Sequence, residues 1–355
     1  MSNAPSSHGA PFTAHTCPFN LTGPKGRVLW EITSKCNLRC AHCLYYSTGA
    51  APSEGVGRDR STEWALALVE EIGASGHVEE LWLSGGEPMT RRDLSIIAGA
   101  ITAAGMKPSL STNGFRIDVN AAKTLAAAGV EYVHLSLDGA SAPTHDLLRG
   151  RRGSFAQTLT AIGALTSQGI TVGATSVIHP GNLREMGDLV RIALESRVSV
   201  LSFYEVAPLG RGAENTEYLH RDDLMASLFE SFMALNDEFR DRIHLELFRA
   251  GDPASWGPMD ACHADRFMTI SSEGRMGACP WLMKAPRHPD PVSLDETSFV
   301  QAWALVRERT QAFLAVRNAS LPWCSECNVS AGCGRGCPAV ADHDGSDPLC
   351  TSLRR

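Results

Sequence analysis

The feature that most constrains this chain is a regular alternation of apolar strand patterns with helical patterns over residues 27–206. The strand patterns lie at 27–33, 80–85, 107–114, 131–139, 170–178 and 198–208, and the helical patterns at 62–76, 92–106, 118–129, 154–169, 182–196 and roughly 221–240. Apolar strands that alternate with helices are typical of a parallel sheet with right-handed crossovers. Six units are two fewer than a closed eight-stranded barrel contains, so the pattern predicts an α/β fold with an open, partial (β/α)6 barrel.

Composition excludes several classes of protein. The net charge is −7 and the basic residues are scattered, which argues against a nucleic-acid-binding surface. No apolar run reaches the roughly 18 residues that a membrane-spanning helix needs. Residues 1–25 are polar and lack the pattern of a signal peptide, so we interpret them as a flexible tail of a cytoplasmic protein.

Short glycine-rich or polar motifs follow the predicted strands. They are SKCNLRCAHC, SGGEP, STNG, SLDG and APLGRG. In parallel α/β folds the loops at the carboxyl ends of the strands build the active site. Such residues are also common in ordinary turns, but five motifs in register favour a shared site.

Cysteines are numerous and clustered. Of the eleven, three lie at 36–43, none between 44 and 261, and seven at 262–350, with Cys17 alone near the start. An odd number in a reduced compartment favours metal ligation over a disulfide framework. One possibility for Cys36, Cys40 and Cys43 is a zinc ion with one open position, and His42 inside the motif is a plausible further zinc ligand. The other possibility is that the three cysteines hold three irons of a four-iron cluster. The spacing alone leaves both open.

Two motifs together decide between these alternatives. Cys36-x3-Cys40-x2-Cys43 after the first strand, followed by Gly85-Gly86-Glu87-Pro88 after the second, resembles the radical S-adenosylmethionine (SAM) superfamily over residues 28–206. The resemblance implies a 4Fe-4S cluster whose fourth iron binds SAM. One departure is His42, where the family usually has an aromatic residue.

The resemblance also implies roles for individual residues near SAM. Gly85, Gly86 and Glu87 match the motif that meets the methionyl amine, and Arg149 matches an arginine that often contacts the SAM carboxylate. The full set of expected cofactor-binding residues is His42, Gly85, Gly86, Glu87, Asn113, Ser136, Asp138 and Arg149. The alternative for Asn113 is that it is an ordinary turn residue. The alternative for Arg149 is that it is a solvated surface arginine. Tyr204 and Glu205 also point toward the predicted mouth.

The C-terminal cysteines resemble the SPASM domain, which carries two auxiliary iron–sulfur clusters. The resemblance implies a distal cluster on Cys324, Cys327, Cys333 and Cys350, and a proximal cluster on Cys262, Cys279 and Cys337. Three 4Fe-4S clusters per chain are therefore expected. Residue 256 is Trp where some members have another cysteine, which leaves Asp260, His263, Cys17, water or substrate as the missing ligand. A zinc ribbon on residues 324–337 is the alternative, but it does not explain the other cysteines.

The expected organisation is a tail at 1–25, a radical SAM partial barrel at 26–240 and a small cysteine-rich SPASM domain at 241–355. The resemblance implies reductive cleavage of SAM to a 5′-deoxyadenosyl radical and hydrogen abstraction from a substrate. The first hypothesis is an oxidative modification or cross-link of a ribosomally made peptide, in natural-product biosynthesis. The alternatives are dehydrogenation or rearrangement of a sugar, aminoglycoside-like or tetrapyrrole-like metabolite, and a non-catalytic iron–sulfur carrier. Expected partners are an electron donor such as flavodoxin or ferredoxin and a separate leader-peptide-binding protein.

Overall fold

The computed structural model describes residues 25–46, 59–219, 222–248 and 267–319. These residues form one ten-stranded sheet with helices packed against it. The strands are β1 (Gly26–Thr33), β2 (Val78–Gly85), β3 (Lys107–Thr112), β4 (Tyr132–Ser136), β5 (Thr171–Ile178), β6 (Val200–Glu205), β7 (His244–Phe248), β8 (Phe267–Ile270), β9 (Arg275–Gly277) and β10 (Val292–Ser293). Their order in the sheet is β10-β9-β8-β1-β2-β3-β4-β5-β6-β7.

Ten helices connect these strands in the described part of the chain. They are α1 (Thr62–Ser75), α2 (Leu94–Ala103), α3 (Val119–Ala127), α4 (Ala142–Arg149), α5 (Ser154–Ser167), α6 (Met186–Glu195), α7 (Arg211–Glu214), α8 (Asp222–Phe239), α9 (Pro280–Lys284) and α10 (Phe299–Ala319). The two ends of α1 show how local sequence sets where a helix begins and ends. Ser61 accepts a hydrogen bond from the Trp64 amide at its start, and Gly76 ends it in the left-handed conformation.

The predicted open α/β barrel is confirmed. Strands β1 to β7 are parallel and lie side by side in chain order, and the two ends of the sheet, β7 and β10, do not pair with each other. All six predicted strand–helix units are present, with ends shifted by a few residues. The carboxyl ends of the parallel strands therefore share one edge, where the five motifs meet.

Five of these elements were not predicted from the sequence, namely β7, β10, α4, α7 and α9. Strand β7 adds a seventh parallel strand beside β6. Helix α4 is only eight residues long and contains Pro143 in its first turn, so it has too few turns for a clear periodic pattern. It matters for function because Arg149 is its last residue and Gly150 is its left-handed C-cap.

The sheet continues beyond residue 240. The sequence FMTISSEGRMGACP (267–280) predicts a hairpin, which is present as β8 and β9. Strand β8 also pairs in parallel with β1, from Arg27–Phe267 to Trp30–Ile270. The domain division at 240 stays a prediction. Cys17, Asp260, His263 and six of the predicted C-terminal cluster ligands lie outside the described residues; these ligands are Cys262, Cys324, Cys327, Cys333, Cys337 and Cys350.

The core lies between the sheet and the outer helices. Among the largest fully buried side chains are Trp30, Ile32, Leu81, Leu83 and Leu110, from the three adjacent strands β1 to β3. This packing fixes the positions of the strand ends, and through them the loops at the site edge. In the described part of the chain, no helix is both long and apolar enough to cross a membrane.

Truncation of this core tests the packing. Leu83→Ala should lower the free energy of unfolding by about 2–5 kcal/mol, because Leu83 is 0% exposed and a cavity would remain. Ile96→Ala, at a side chain that is 57% exposed, is the matched control and should change it by less than about 0.5 kcal/mol. Urea denaturation followed by circular dichroism measures both. Equal effects of the two substitutions would contradict the assigned core.

Candidate functional site

The predicted site residues meet around one cavity at the carboxyl edge of the sheet. Its volume is about 280 Å³, and its walls come from the loop after β1 and from the ends of β2 to β6. The predicted residues in the wall are Cys36, Cys40, Cys43, His42, Gly85, Gly86, Glu87, Asn113, Ser136 and Arg149. Tyr204 and Glu205 also line it. Asp138 is the exception, because it lies behind the wall.

The segment 34–46, here called the cysteine loop, is enclosed by other loops at very short range. Three glycines approach its carbonyl oxygens so closely that a Cβ atom on them would lie 2.2, 2.5 and 2.5 Å from those oxygens. The glycine and carbonyl pairs are Gly86 with Lys35, Gly150 with Arg39, and Gly210 with Cys43. Any other side chain at these three positions would force the cysteine loop to move. Gly86 of SGGEP therefore packs directly against the cysteine loop, while Gly85 packs against β1 at the Thr33 carbonyl.

Hydrogen bonds from the same neighbouring loops hold the cysteine loop along its length. The Glu87 amide donates to the Lys35 carbonyl at 2.7 Å, and the Ala41 amide donates to the Leu148 carbonyl at 2.8 Å. Arg211 donates twice, from its amide to the Cys43 carbonyl at 2.9 Å and from Nε to the Cys40 carbonyl at 2.8 Å. The loop is thus fixed by backbone groups, as a preorganised ligand set requires.

Arg211 is a functional residue that sequence reasoning missed. Its side chain is 7% exposed, and it lies at the start of α7, in the motif APLGRG. The available signal was an arginine inside the glycine-rich motif APLGRG, which the sequence analysis places at the shared site without a role for this residue. A buried guanidinium that donates to a backbone carbonyl is a positioning group for the cysteine loop.

Glu87 is held by three hydrogen-bond donors. Its carboxylate accepts from the Met89 amide at 2.9 Å, the Thr112 hydroxyl at 2.6 Å and the Asn113 amide at 2.8 Å. Burial raises the pKa of Glu87 even though these donors oppose the shift. Asn113 in turn donates to the Asn37 side chain at 2.8 Å, which joins the STNG loop to the cysteine loop.

Asp138 is fully buried and does not line the cavity, although the sequence analysis expected it near SAM. One oxygen accepts from the Val177 amide at 2.8 Å, and the other forms an ion pair with Nε of Arg149. Burial works to raise the pKa of Asp138, but Arg149 and the nearby His42 outweigh it and hold the pKa below its usual value. The structure thus places Asp138 as the residue that orients Arg149.

Arg149 reaches toward the cysteine loop from this anchored position. Its Nη1 lies 3.6 Å from Cys40 Sγ, and Cys40 together with Asp138 raises its pKa against the effect of burial. His42 Nε2 lies 3.8 Å from the Asp138 carboxylate, and burial lowers the pKa of His42 to about 3. Arg149 therefore carries the positive charge on this side of the cavity.

Two aromatic wall residues were also missed. Tyr45 follows the third cysteine by two residues, and Trp281 follows Cys279 by two residues in α9. Lys284 of the same helix lies 5.2 Å above the Tyr45 ring and 3.3 Å from the Glu31 carboxylate. These contacts and Trp281 make α9 one side of the site, whereas Cys279, the N-cap of α9, does not line the cavity.

The donor set fits an iron–sulfur cluster. Burial raises the pKa of Cys36 to about 12 and also raises that of Cys40, so free thiolates are costly here, whereas metal-bound thiols are deprotonated. In the described segments, no three Cys, His, Asp or Glu side chains converge on a single ion. Zinc would draw its sulfur ligands to about 2.3 Å of one point. Three thiols in the wall of one cavity are a donor set that can hold a four-iron cluster.

Comparison with known proteins agrees with this geometry. Residues 30–193 match the family model of the Radical SAM superfamily, so the chain carries a radical SAM domain. A radical SAM domain implies a 4Fe-4S cluster and SAM.

Individual relatives add detail. The mycofactocin maturase MftC of Mycolicibacterium smegmatis is 29% identical over 331 residues, which cover 90% of this chain and 81% of that protein. The AdoMet-dependent heme synthase of Methanosarcina barkeri is 34% identical over 197 residues, so the chain spans just over half of it: 56% of this chain aligns with 55% of that protein. The crystal structure of Streptococcus suis SuiB bound to S-adenosylmethionine shares the fold, with a TM-score of 0.72 at 16% identity over 92% of this chain and 77% of SuiB. Similarity over nearly the whole chain supports the SPASM domain predicted from the cysteine pattern.

The close approach of Gly86 can be tested directly. Gly86→Ala should destabilise the protein by about 1–3 kcal/mol and lower iron uptake, because the new Cβ would lie 2.2 Å from the Lys35 carbonyl. Gly99→Ala is the control, since a Cβ at Gly99 in α2 meets nothing within 4 Å and should stabilise by about 0.5–1 kcal/mol. Thermal unfolding and iron content after anaerobic reconstitution measure the effects. Normal iron uptake by Gly86→Ala would refute the constraint.

The buried ion pair gives a second test at the site. Asp138→Asn should cost about 3–5 kcal/mol, because it leaves the Arg149 guanidinium buried without its counter-charge. Asp188→Asn removes a carboxylate from an exposed pair, with Asp188 62% exposed, and should change stability by less than about 0.5 kcal/mol. Denaturant titration of both variants and of Asp138→Asn/Arg149→Met completes the comparison. We expect the double variant to recover part of the loss; no recovery would mean that Asp138 acts apart from Arg149.

Proposed function

We propose that this protein is a radical SAM enzyme that oxidatively modifies a ribosomally made peptide. The observation that carries the proposal is the cavity in which the three-cysteine loop, the SGGEP loop and Arg149 face one another. When bound there, a reduced cluster held by Cys36, Cys40 and Cys43 supplies the electron that cleaves SAM to methionine and a 5′-deoxyadenosyl radical.

The residues of the chain have separable roles in this proposal. Arg149 and Glu87 bind the charged methionyl end of SAM, and Ser136 and Asn113 lie beside its nucleoside. Trp281 and Tyr45 close the cavity from the α9 side, so that water is kept from the radical. Asp138 and Arg211 position the groups that touch the cofactors.

The peptide as substrate is supported by the relatives that align over most of the chain. MftC is named as a maturase, and SuiB has been solved bound to its precursor peptide SuiA. Auxiliary clusters on the C-terminal cysteines would accept the electron that an oxidative cross-link releases. We place the enzyme in the cytoplasm, with a separate leader-peptide-binding protein and a one-electron donor as partners.

A second candidate is modification of a tetrapyrrole-like metabolite. It is favoured by the 34% identity to the AdoMet-dependent heme synthase, which is higher than the identity to MftC but covers only 56% of this chain. Peptide and tetrapyrrole substrates differ in size and charge, so direct assays separate them.

The decisive assay is anaerobic cleavage of SAM. The reconstituted protein should contain about twelve irons and form 5′-deoxyadenosine from SAM and dithionite. The triple variant Cys36→Ala/Cys40→Ala/Cys43→Ala should lose about four irons and all nucleoside formation. Candidate precursor peptides and iron-coproporphyrin, each added to the wild type, should then reveal which substrate accelerates nucleoside formation. Intact SAM in the wild type under reduction would refute the enzymatic proposal.

A further inference from the structure

A group of exposed cations lies on the outer side of the site loops. It consists of Lys35, Arg39, Arg116, Arg151 and Arg152, and we call it the basic patch. Each of these side chains is exposed, and none lines the cavity. The basic patch is unexpected on a chain of net charge −7.

The five residues belong to one surface because their loops touch. Arg39 and Gly150 are in close contact, since a Cβ on Gly150 would lie 2.5 Å from the Arg39 carbonyl. The Arg151 guanidinium lies 4.8 Å above the Phe115 ring, next to Arg116. The hydrogen bond between the Asn37 and Asn113 side chains joins the cysteine loop, which carries Lys35 and Arg39, to the loop that carries Arg116.

The charges of the basic patch are not neutralised by ion pairs within the described segments. None of its five members forms one there. The cations elsewhere around the site differ in this respect, since Arg149 pairs with Asp138, Arg91 with Asp93 and Lys284 with Glu31. The nearby acids have other partners: Asp146 accepts from the amides of Gly153 and Phe155, and Asp118 caps α3 through the Ala121 amide. Unpaired surface cations in one area create a local positive potential that attracts an acidic partner.

The position of the basic patch indicates which partner it fits. Lys35 and Arg39 each directly precede a cysteine of the loop, and Arg151 and Arg116 are two and three residues from the cavity residues Arg149 and Asn113. A protein that delivers electrons cannot enter a cavity of about 280 Å³. The outer face of the cysteine loop is therefore where such a protein comes nearest to the thiols while the cavity stays free for SAM and substrate.

We infer that the basic patch is the docking surface for a small acidic one-electron carrier protein, of the flavin or iron–sulfur type. The inference rests on the proposed function, which consumes one electron for each SAM cleaved. In the docked complex the carrier loses one electron and the site gains one, so the step is balanced. Complementary charge raises the rate of association and loses its effect in high salt.

Charge reversal tests the docking surface. Arg116→Glu/Arg152→Glu changes two exposed members of the basic patch that do not line the cavity. Arg191→Glu/Arg240→Glu is the matched control, with the same change in net charge at side chains that are 61% and 66% exposed on α6 and beside α8. The probe is chemically reduced flavodoxin, and the measurements are its binding affinity and the rate at which the reconstituted enzyme oxidises it in stopped flow.

The expected result is specific to the protein carrier. The association rate at low salt should fall by about tenfold or more in the patch variant but not in the control, and the difference should vanish in high salt. Nucleoside formation driven by dithionite should be the same in all three proteins. If the reversed variant folds poorly, Arg116→Gln/Arg152→Gln should show a smaller loss of the same kind.

Two results would overturn the inference. Unchanged flavodoxin binding and oxidation in the patch variant would mean that the carrier docks elsewhere. An equal loss with dithionite would mean that the patch serves SAM or an acidic peptide. Intact SAM in the wild type under dithionite would instead refute the proposed function, and flavodoxin binding by the wild type and the two variants would still decide the docking surface.

Discussion

The site depends on the close packing of the cysteine loop against three neighbouring loops. A loop of thirteen residues without regular structure would ordinarily sample many conformations, and three thiols on it would rarely face the same point. Here its carbonyls meet Gly86, Gly150 and Gly210 at distances that leave no room for a side chain. The loop is thereby held in one shape before any cofactor binds, and the entropy cost of ordering it is met by folding of the barrel rather than by cluster binding.

The same constraint explains how the remaining polar groups are arranged. Glu87 ties the second strand end to the third, and Asp138 ties the fourth strand end to the fifth through the Val177 amide. Each of these buried carboxylates accepts hydrogen bonds from backbone amides and has a further partner, the Thr112 hydroxyl for Glu87 and the Arg149 guanidinium for Asp138, as buried charges require. The residues that reach the cavity, such as Arg149, are held from behind by residues that do not.

The sequence predicted most of this architecture, and the omissions have physical reasons. The strand–helix alternation predicted the open barrel because long apolar patterns are the strongest local signal. Helix α4 and strand β7 are short, so their patterns carry little information. The cysteines and the SGGEP loop were predicted to meet, but Arg211, Tyr45 and Trp281 were not, because their importance comes from contacts between segments far apart in the chain. The SLDG motif predicted that Asp138 lies near the site, but only the fold shows that it lies behind Arg149 and pairs with it.

The pairing of β1 with β8 has a consequence for how the chain folds. β1, the first strand of the described chain, has neighbours on both sides, and one of them is contributed by residues 267–270. During synthesis that edge of β1 remains open until more than two hundred further residues have left the ribosome. Contacts between such distant segments form late and slow the folding of the whole domain. The cysteine loop, which follows β1 directly, thus gains this flanking strand only after residues 267–270 have been synthesised, and a cluster bound earlier would lie beside an unpaired strand edge.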